Sequence, residues 1–174
     1  ISDMMSFVSE RRTTVLDEAA LKLANRKIIY VLDYGGKLSA SNAARLLAAQ
    51  SAHFGRKVVL CDTTGQSYNE IKESSTTESS KAATVSVGDN ISVMIGADDA
   101  SFFTSQNFSL KIKDLTDRFD QVFVCSSNIN ARLGLMAMSE YVHGLVIISG
   151  LRKTKKSDIK NVKLRQPIDL LFYD

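Results

Sequence analysis

The residues whose types and spacing suit chemistry gather where apolar runs end. Asp33-Tyr34-Gly35-Gly36-Lys37-Leu38-Ser39 follows one such run, Asp62-Thr63-Thr64 a second and Cys125-Ser126-Ser127 a third. A glycine-rich turn between a buried strand and a helix can cradle a phosphate on backbone N–H groups at the helix N-terminus. Gly35, Gly36, Lys37 and Ser39 are the candidates for such a cradle, with Asp62 at the end of the second run beside them. Each also has a plainer reading: paired glycines make tight turns, Lys37 is an exposed turn residue, and Asp62 is a turn former or helix cap. Cys61 and Cys125 sit inside apolar runs and read as small buried hydrophobes, in keeping with a reducing, cytoplasmic setting. His53 falls near a helix C-terminus, where a cation suits the dipole, and His143 lies by a turn. Neither histidine has a Cys or Asp partner at nucleophile or metal-ligand spacing. On the residues alone, no catalytic group and no metal site is assigned.

The elements that must position these residues follow from hydrophobic patterning. Residues 27–33, 57–62 and 121–125 are apolar at nearly every position, the mark of strands covered by helices on both faces. Shorter strands are predicted at 83–87, 91–95, 145–148 and 168–173, the first two joined by a Gly88-Asp89-Asn90 hairpin turn. Helical spacing or composition predicts helices at 15–24, 39–53, 107–118, 129–141 and 157–164. Residues 1–26 read as a helical lead-in and 27–174 as one domain, with a mobile Ser/Thr-rich loop at 65–81. Repeated strand–helix alternation predicts an α/β fold: three layers, with a doubly wound, mostly parallel sheet flanked by helices.

The chain has 174 residues, 44% hydrophobic and 24% charged, which suits one globular domain and excludes wholesale disorder. Its longest apolar runs fall far short of the ~20 residues that span a bilayer, and Ile1-Ser2-Asp3 does not open a signal peptide. A first residue of Ile reads as the start of a piece cut from a larger protein, whose remainder would carry any membrane link. The net charge of +3 is unevenly placed: residues 151–165 carry +6, leaving −3 over the rest. Arg152, Lys153, Lys155, Lys156, Lys160 and Lys163 form this basic strip, a candidate interaction surface or simply a solvated helix face.

Three landmarks give the chain a family likeness. Ile28 to Ala48 is similar to a P-loop strand, loop and helix, down to the Ala43-Ala44-Arg45-Leu46-Leu47-Ala48 run. Gly55 to Asp62 resembles the segment Gly-x-x-Val-Leu-Leu-Ile-Asp, and Arg118 to Ser127 a Walker B segment. Together with the closing strands these resemble the MinD/ParA-type P-loop ATPases. More specifically the chain resembles the bacterial tyrosine-kinase (BY-kinase) domains of polysaccharide co-polymerases, which control exopolysaccharide export and chain length. The resemblance implies a P-loop NTPase-like fold and a site for ATP and Mg²⁺. The chemistry residues depart from it. In register, Leu38 replaces the loop glycine, Ser39 the phosphate-binding lysine, Ala40 the metal-binding hydroxyl and Cys125 the Walker B carboxylate, while Thr64 replaces the acid after Asp62.

The resemblance and these departures lead to one expectation: a non-catalytic BY-kinase-like domain with no cofactor, acting by homo-oligomerisation or by docking other synthesis and export components. It would be cytoplasmic and linked to an inner membrane through the parent chain, and nucleic acid is not expected as a partner. Two alternatives stay open. One is a divergent ATPase or tyrosine kinase that uses Lys37 and Asp62 with ATP and Mg²⁺; the other is a MinD/ParA-like regulator that binds a surface through the basic strip.

Overall fold

The apolar runs form strands because every side chain in them finds cover, alternately on one face of a sheet and on the other. A computed structural model describes residues 17–34, 39–67, 69–70, 84–127, 131–149 and 170–173. Along the chain run a helix at residues 17–22 (α1), β1 (Ile28–Tyr34), α2 (Ala40–His53), β2 (Val58–Asp62), β3 (Thr84–Gly88) and β4 (Ile91–Met94). They are followed by α3 (Ser101–Thr104), α4 (Phe108–Arg118), β5 (Gln121–Ser126), α5 (Ala131–Met138), β6 (Gly144–Ser149) and β7 (Leu170–Tyr173). The seven strands make one sheet in the order β3-β4-β2-β5-β1-β6-β7. All neighbours are parallel except the β3–β4 hairpin at one edge.

Two cores result, one on each face. Ile29 and Val31 of β1, Val58 and Leu60 of β2 and Phe123 and Cys125 of β5 pack beneath α1 and α2. The buried side of α2 is mostly alanine (Ala40, Ala43, Ala44, Ala48, Ala52), which lets the helix backbone lie close to the sheet. Tyr30, Leu32, Val59, Val122 and Val124 face the other way, into an aromatic cluster of Phe102, Phe103, Phe108 and Phe119 supplied by α3, α4 and the end of α4. Full burial of one large apolar side chain contributes about 1.5–3 kcal/mol, so these two layers dominate stability. Gly134 lets α5 sit directly on Tyr30, since a Cβ there would fall 1.9 Å from the tyrosine oxygen.

The three-layer, mostly parallel architecture expected from the sequence is the architecture found. Local differences have local causes. α3 was not expected, because four residues with adjacent Phe102 and Phe103 show no helical period. The helix expected at 129–141 is helical over Ala131–Met138 and ends in a turn at 139–141 that buries Val142. The hairpin turns at residues 89–90, where Asn90 adopts φ 61°, a left-handed conformation that asparagine tolerates. The expected helix at 157–164, the basic strip Arg152, Lys153, Lys155, Lys156, Lys160 and Lys163, and most of the 65–81 loop lie outside the described residues.

Candidate functional site

The C-terminal ends of β1, β2 and β5 lie side by side, which is where ligands bind in open α/β sheets. β5 sits between the other two, with Asp62 in register with Cys125 and Leu32 with Ser126. Gly35, Gly36 and Lys37 lie outside the described residues, as does Leu38. Ser39 is described: it caps α2, its hydroxyl accepting from the Asn42 N–H at 3.2 Å. That is the ordinary work of an N-cap serine. Ala40 is buried and its methyl side chain has no oxygen to offer.

Asp62 is the centre of the described site. Its carboxylate is buried, and both oxygens are occupied by the protein. Oδ2 accepts from the Ser41 hydroxyl at 2.7 Å, the Ser67 hydroxyl at 2.6 Å and the Ser67 N–H at 3.0 Å. Oδ1 accepts from the Thr64 N–H at 2.9 Å, the Thr64 hydroxyl at 2.5 Å and the Cys125 thiol at 3.3 Å. Burial is the largest influence on its pKa and favours the neutral acid. The hydroxyls of Ser67, Thr64 and Ser41 and the Thr64 amide outweigh it and hold the carboxyl below its ordinary value. Asp62 is therefore a stable buried anion.

The surrounding groups are tied to this carboxylate. Arg45, one turn beyond Ser41 on α2, donates from two guanidinium nitrogens to Ser67 Oγ at 2.9 and 2.8 Å. Its third contact is an ion pair with Glu70 at 2.6 Å. The Cys125 carbonyl accepts from both the N–H and the hydroxyl of Thr63, at 3.0 and 2.8 Å, locking the β2 end to β5. Burial, followed by the charge of Asp62, pushes the Cys125 thiol well up, so it stays protonated and donates. Cys61 points into the other core toward Met94, and burial with the Asp62 charge pushes it up to about 12. Both cysteines are buried, as expected, and neither is a nucleophile at neutral pH.

Asp33, Asp62, Glu70, Asp98 and Asp99 stand around this edge among the described residues, with Arg45 as the cation. The Asp98 carbonyl lies 3.5 Å from where a Cβ on Gly65 would be, which brings the β4–α3 loop against the Asp62 loop. A magnesium ion needs open oxygen ligands, yet the oxygens of Asp62 already accept six donors, and the thiol of Cys125 is neutral. At Asp62 the described residues leave no open carboxylate oxygen for a magnesium ion.

Of the sequence candidates, the structure brings Asp62 and the Ser39-capped start of α2 together, with Ser41 as the link. Sequence reasoning missed Ser41, Arg45, Thr64 and Ser67 as partners, and missed that Cys125 bonds Asp62. The faint signal was Cys125 itself, a weak donor at the position resembling a carboxylate and opposite a retained Asp62. His53 lies in the last turn of α2, as expected. His143 accepts from the Ile28 N–H through Nδ1 at 3.3 Å, far from this edge.

No family model matches the sequence, and a search of curated proteins finds no match. Solved structures do match in shape. The chain is similar to the VpsO kinase domain, at 13% identity and a TM-score of 0.63 over 95% of this chain and 98% of that one. It is also similar to the kinase domain of the Escherichia coli tyrosine kinase ETK, at 15% identity and a TM-score of 0.60 over 94% of this chain and 72% of that one. A plasmid partition protein from Borrelia burgdorferi matches at 14% identity and a TM-score of 0.54 over 84% of this chain and 76% of that one. These neighbours share the fold of this chain, in keeping with the fold that the sequence resemblance implied.

Proposed function

We propose that the chain is a non-catalytic BY-kinase-like domain of an exopolysaccharide synthesis or export protein. Its work is to assemble with copies of itself or to dock other components of that machinery. It would be the cytoplasmic part of a protein held at the inner membrane by its parent chain and concerned with polysaccharide chain length. The observation that carries this reading is the state of Asp62. In the resemblance that carboxylate serves a bound metal and nucleotide; here Ser41, Thr64, Ser67 and the Cys125 thiol occupy it. Ser39 as a helix cap and the buried, oxygen-free Ala40 point the same way.

In this arrangement the protein supplies the donors that a metal would otherwise replace, so the site is complete without ligand. Removing a phosphate-clamping lysine alone costs several kcal/mol of transition-state stabilisation; here the metal-binding positions are altered as well. The test is phosphoryl transfer. Incubation with labelled ATP and Mg²⁺ is expected to give no phosphorylation of the chain or of a poly(Glu,Tyr) acceptor, and no hydrolysis above buffer. Transfer that disappears in Asp62→Ala, or in Lys37→Ala with the fold intact, overturns the reading in favour of a divergent enzyme.

A further inference from the structure

Among the described residues β3 ends the sheet, paired with β4 on its inner side and with no strand on its outer side. An edge strand offers a row of N–H and C=O groups to any strand that arrives, and folds ordinarily blunt such an edge with charges or proline. Thr84-Val85-Ser86-Val87-Gly88 has neither, and its one irregularity is a register shift between Ser86 and Gly88, next to the turn. The side chains divide between the two faces. Thr84 lies on the α4 side, opposite Met94, and accepts from Arg118 Nη2 at 2.9 Å. Val85 lies on the α2 side, opposite Val93, where Val87 and Ile91 pack against the same core. Val85 and Val87 are half-buried and Ser86 is exposed, so the core beneath α2 reaches the sheet edge only partly covered.

The strand reads nearly the same from either end: a valine flanks Ser86 on each side, and a small residue, Thr84 or Gly88, closes each end. A second β3 laid antiparallel with Ser86 against Ser86 therefore matches the first residue for residue. Directly opposite residues of an antiparallel pair share a face, so Val85 would meet Val87 of the partner copy and the two valine stripes would join. The same register sets Thr84 opposite Gly88 of the partner copy, about 5 Å away. Asp89 of that copy, exposed in the hairpin turn, follows by one residue and comes within reach of the Arg118 guanidinium held at Thr84. Arg118 is 47% exposed, and its own partner Asp114 is a surface carboxylate. A two-fold axis makes the Arg118–Asp89 pair twice, once at each end of the ladder.

We infer that β3 is a self-association edge, at which two copies of this chain join antiparallel about a two-fold axis at Ser86 and continue the sheet from one copy into the other. A strand of another protein would satisfy the same backbone groups, but a second copy also brings valine to valine and carboxylate to guanidinium by symmetry. The inference rests on the self-assembly part of the proposed function and names the surface that performs it. A five-residue ladder belongs at the small end of specific interfaces, so the dimer is expected to dissociate on dilution.

The experiment is sedimentation equilibrium of the full chain from micromolar to near-millimolar concentration, where a monomer–dimer equilibrium is expected. Ser86→Lys and Ser86→Glu each set like charges face to face on the axis and are expected to weaken the dimer by about fivefold. Their melting temperatures should not change, because Ser86 is exposed. An equimolar mixture of the two variants should associate more tightly than either alone, which follows only if residue 86 meets its own copy. Asp89→Arg removes both contacts with Arg118 and is expected to weaken the dimer by about tenfold, with Asp89→Arg/Arg118→Asp recovering the loss. Three results each overturn the inference: a monomer at every concentration, a dimer indifferent to Ser86 and Asp89, or a mixture no tighter than its components. A monomer that also transfers no phosphate removes this edge and leaves the non-catalytic reading in place. A β3 dimer that does transfer phosphate has the reverse meaning.

Discussion

The helix α2 is anchored to the sheet at both ends by a buried polar cluster, and the two clusters solve their problems differently. At the N-terminal end Ser41 bonds a carboxylate, Asp62, which has Ser67, Thr64 and the Cys125 thiol as further donors. At the other end Ser51 bonds an amide, Gln121, whose Nε2 donates to the carbonyls of Leu23 and Arg26 at 2.8 and 2.9 Å. Gln121 closes the α1–β1 connection with a neutral group that can give and accept. A neutral amide is the economical choice for a purely structural joint, because no charge has to be desolvated. Asp62 keeps a charge at the edge where this fold holds its ligands, and the protein surrounds it with its own donors. The contrast separates a neutral joint from a charged one whose carboxylate accepts the protein's own donors.

The largest effect that would sharpen this contrast is removal of the charged acceptor. Asp62→Ala leaves buried hydroxyls and N–H groups without their acceptor and is expected to destabilise the fold by about 3–4 kcal/mol in urea denaturation. Gln121→Ala loses neutral hydrogen bonds and side-chain volume and should cost about 2 kcal/mol. Equal losses would erase the distinction. The two serines on α2 should each cost about 1 kcal/mol on replacement by alanine, with Ser41→Ala the larger because its partner is charged. A smaller loss for Ser41→Ala than for Ser51→Ala would mean that the carboxylate has spare donors.

Acid should tell the clusters apart without mutation. The native pKa of Asp62 lies below its ordinary value of 3.8, so between the two the unfolded chain binds more protons and stability rises with pH. This contribution is complete above the unfolded value and is lost as pH falls through the native one. Urea melts across that range should flatten in Asp62→Asn and keep their wild-type slope in Gln121→Leu. An unchanged slope in Asp62→Asn would show that the carboxylate is not held in its charged form.

The sheet was legible from sequence because strands buried on both faces, such as Ile28–Leu32 and Val122–Cys125, leave continuous apolar runs that few other structures produce. Asp62 was legible by position, at the end of such a run. Its environment was not, since the donors come from α2, from the turn and short helical stretch after β2 and from β5, and Ser41, Thr64 and Ser67 each look in sequence like ordinary cap or loop residues. Cys125 was read correctly as buried, but one-dimensional reasoning gives no register, and it is the Asp62–Cys125 register that turns a small hydrophobe into a hydrogen-bond donor.

The most direct test of the filled site is nucleotide binding by the wild-type chain. Melting temperature is followed against ATP and ADP up to millimolar concentration, with and without Mg²⁺. A ligand at one hundred times its Kd stabilises a fold by about 2.7 kcal/mol, a shift of several degrees. With Asp62 occupied by Ser41, Thr64, Ser67 and Cys125, no shift is expected under any of these conditions. A Mg²⁺-dependent rise would contradict this, by showing that ligand displaces the internal donors, and would make Lys37 the next residue to replace.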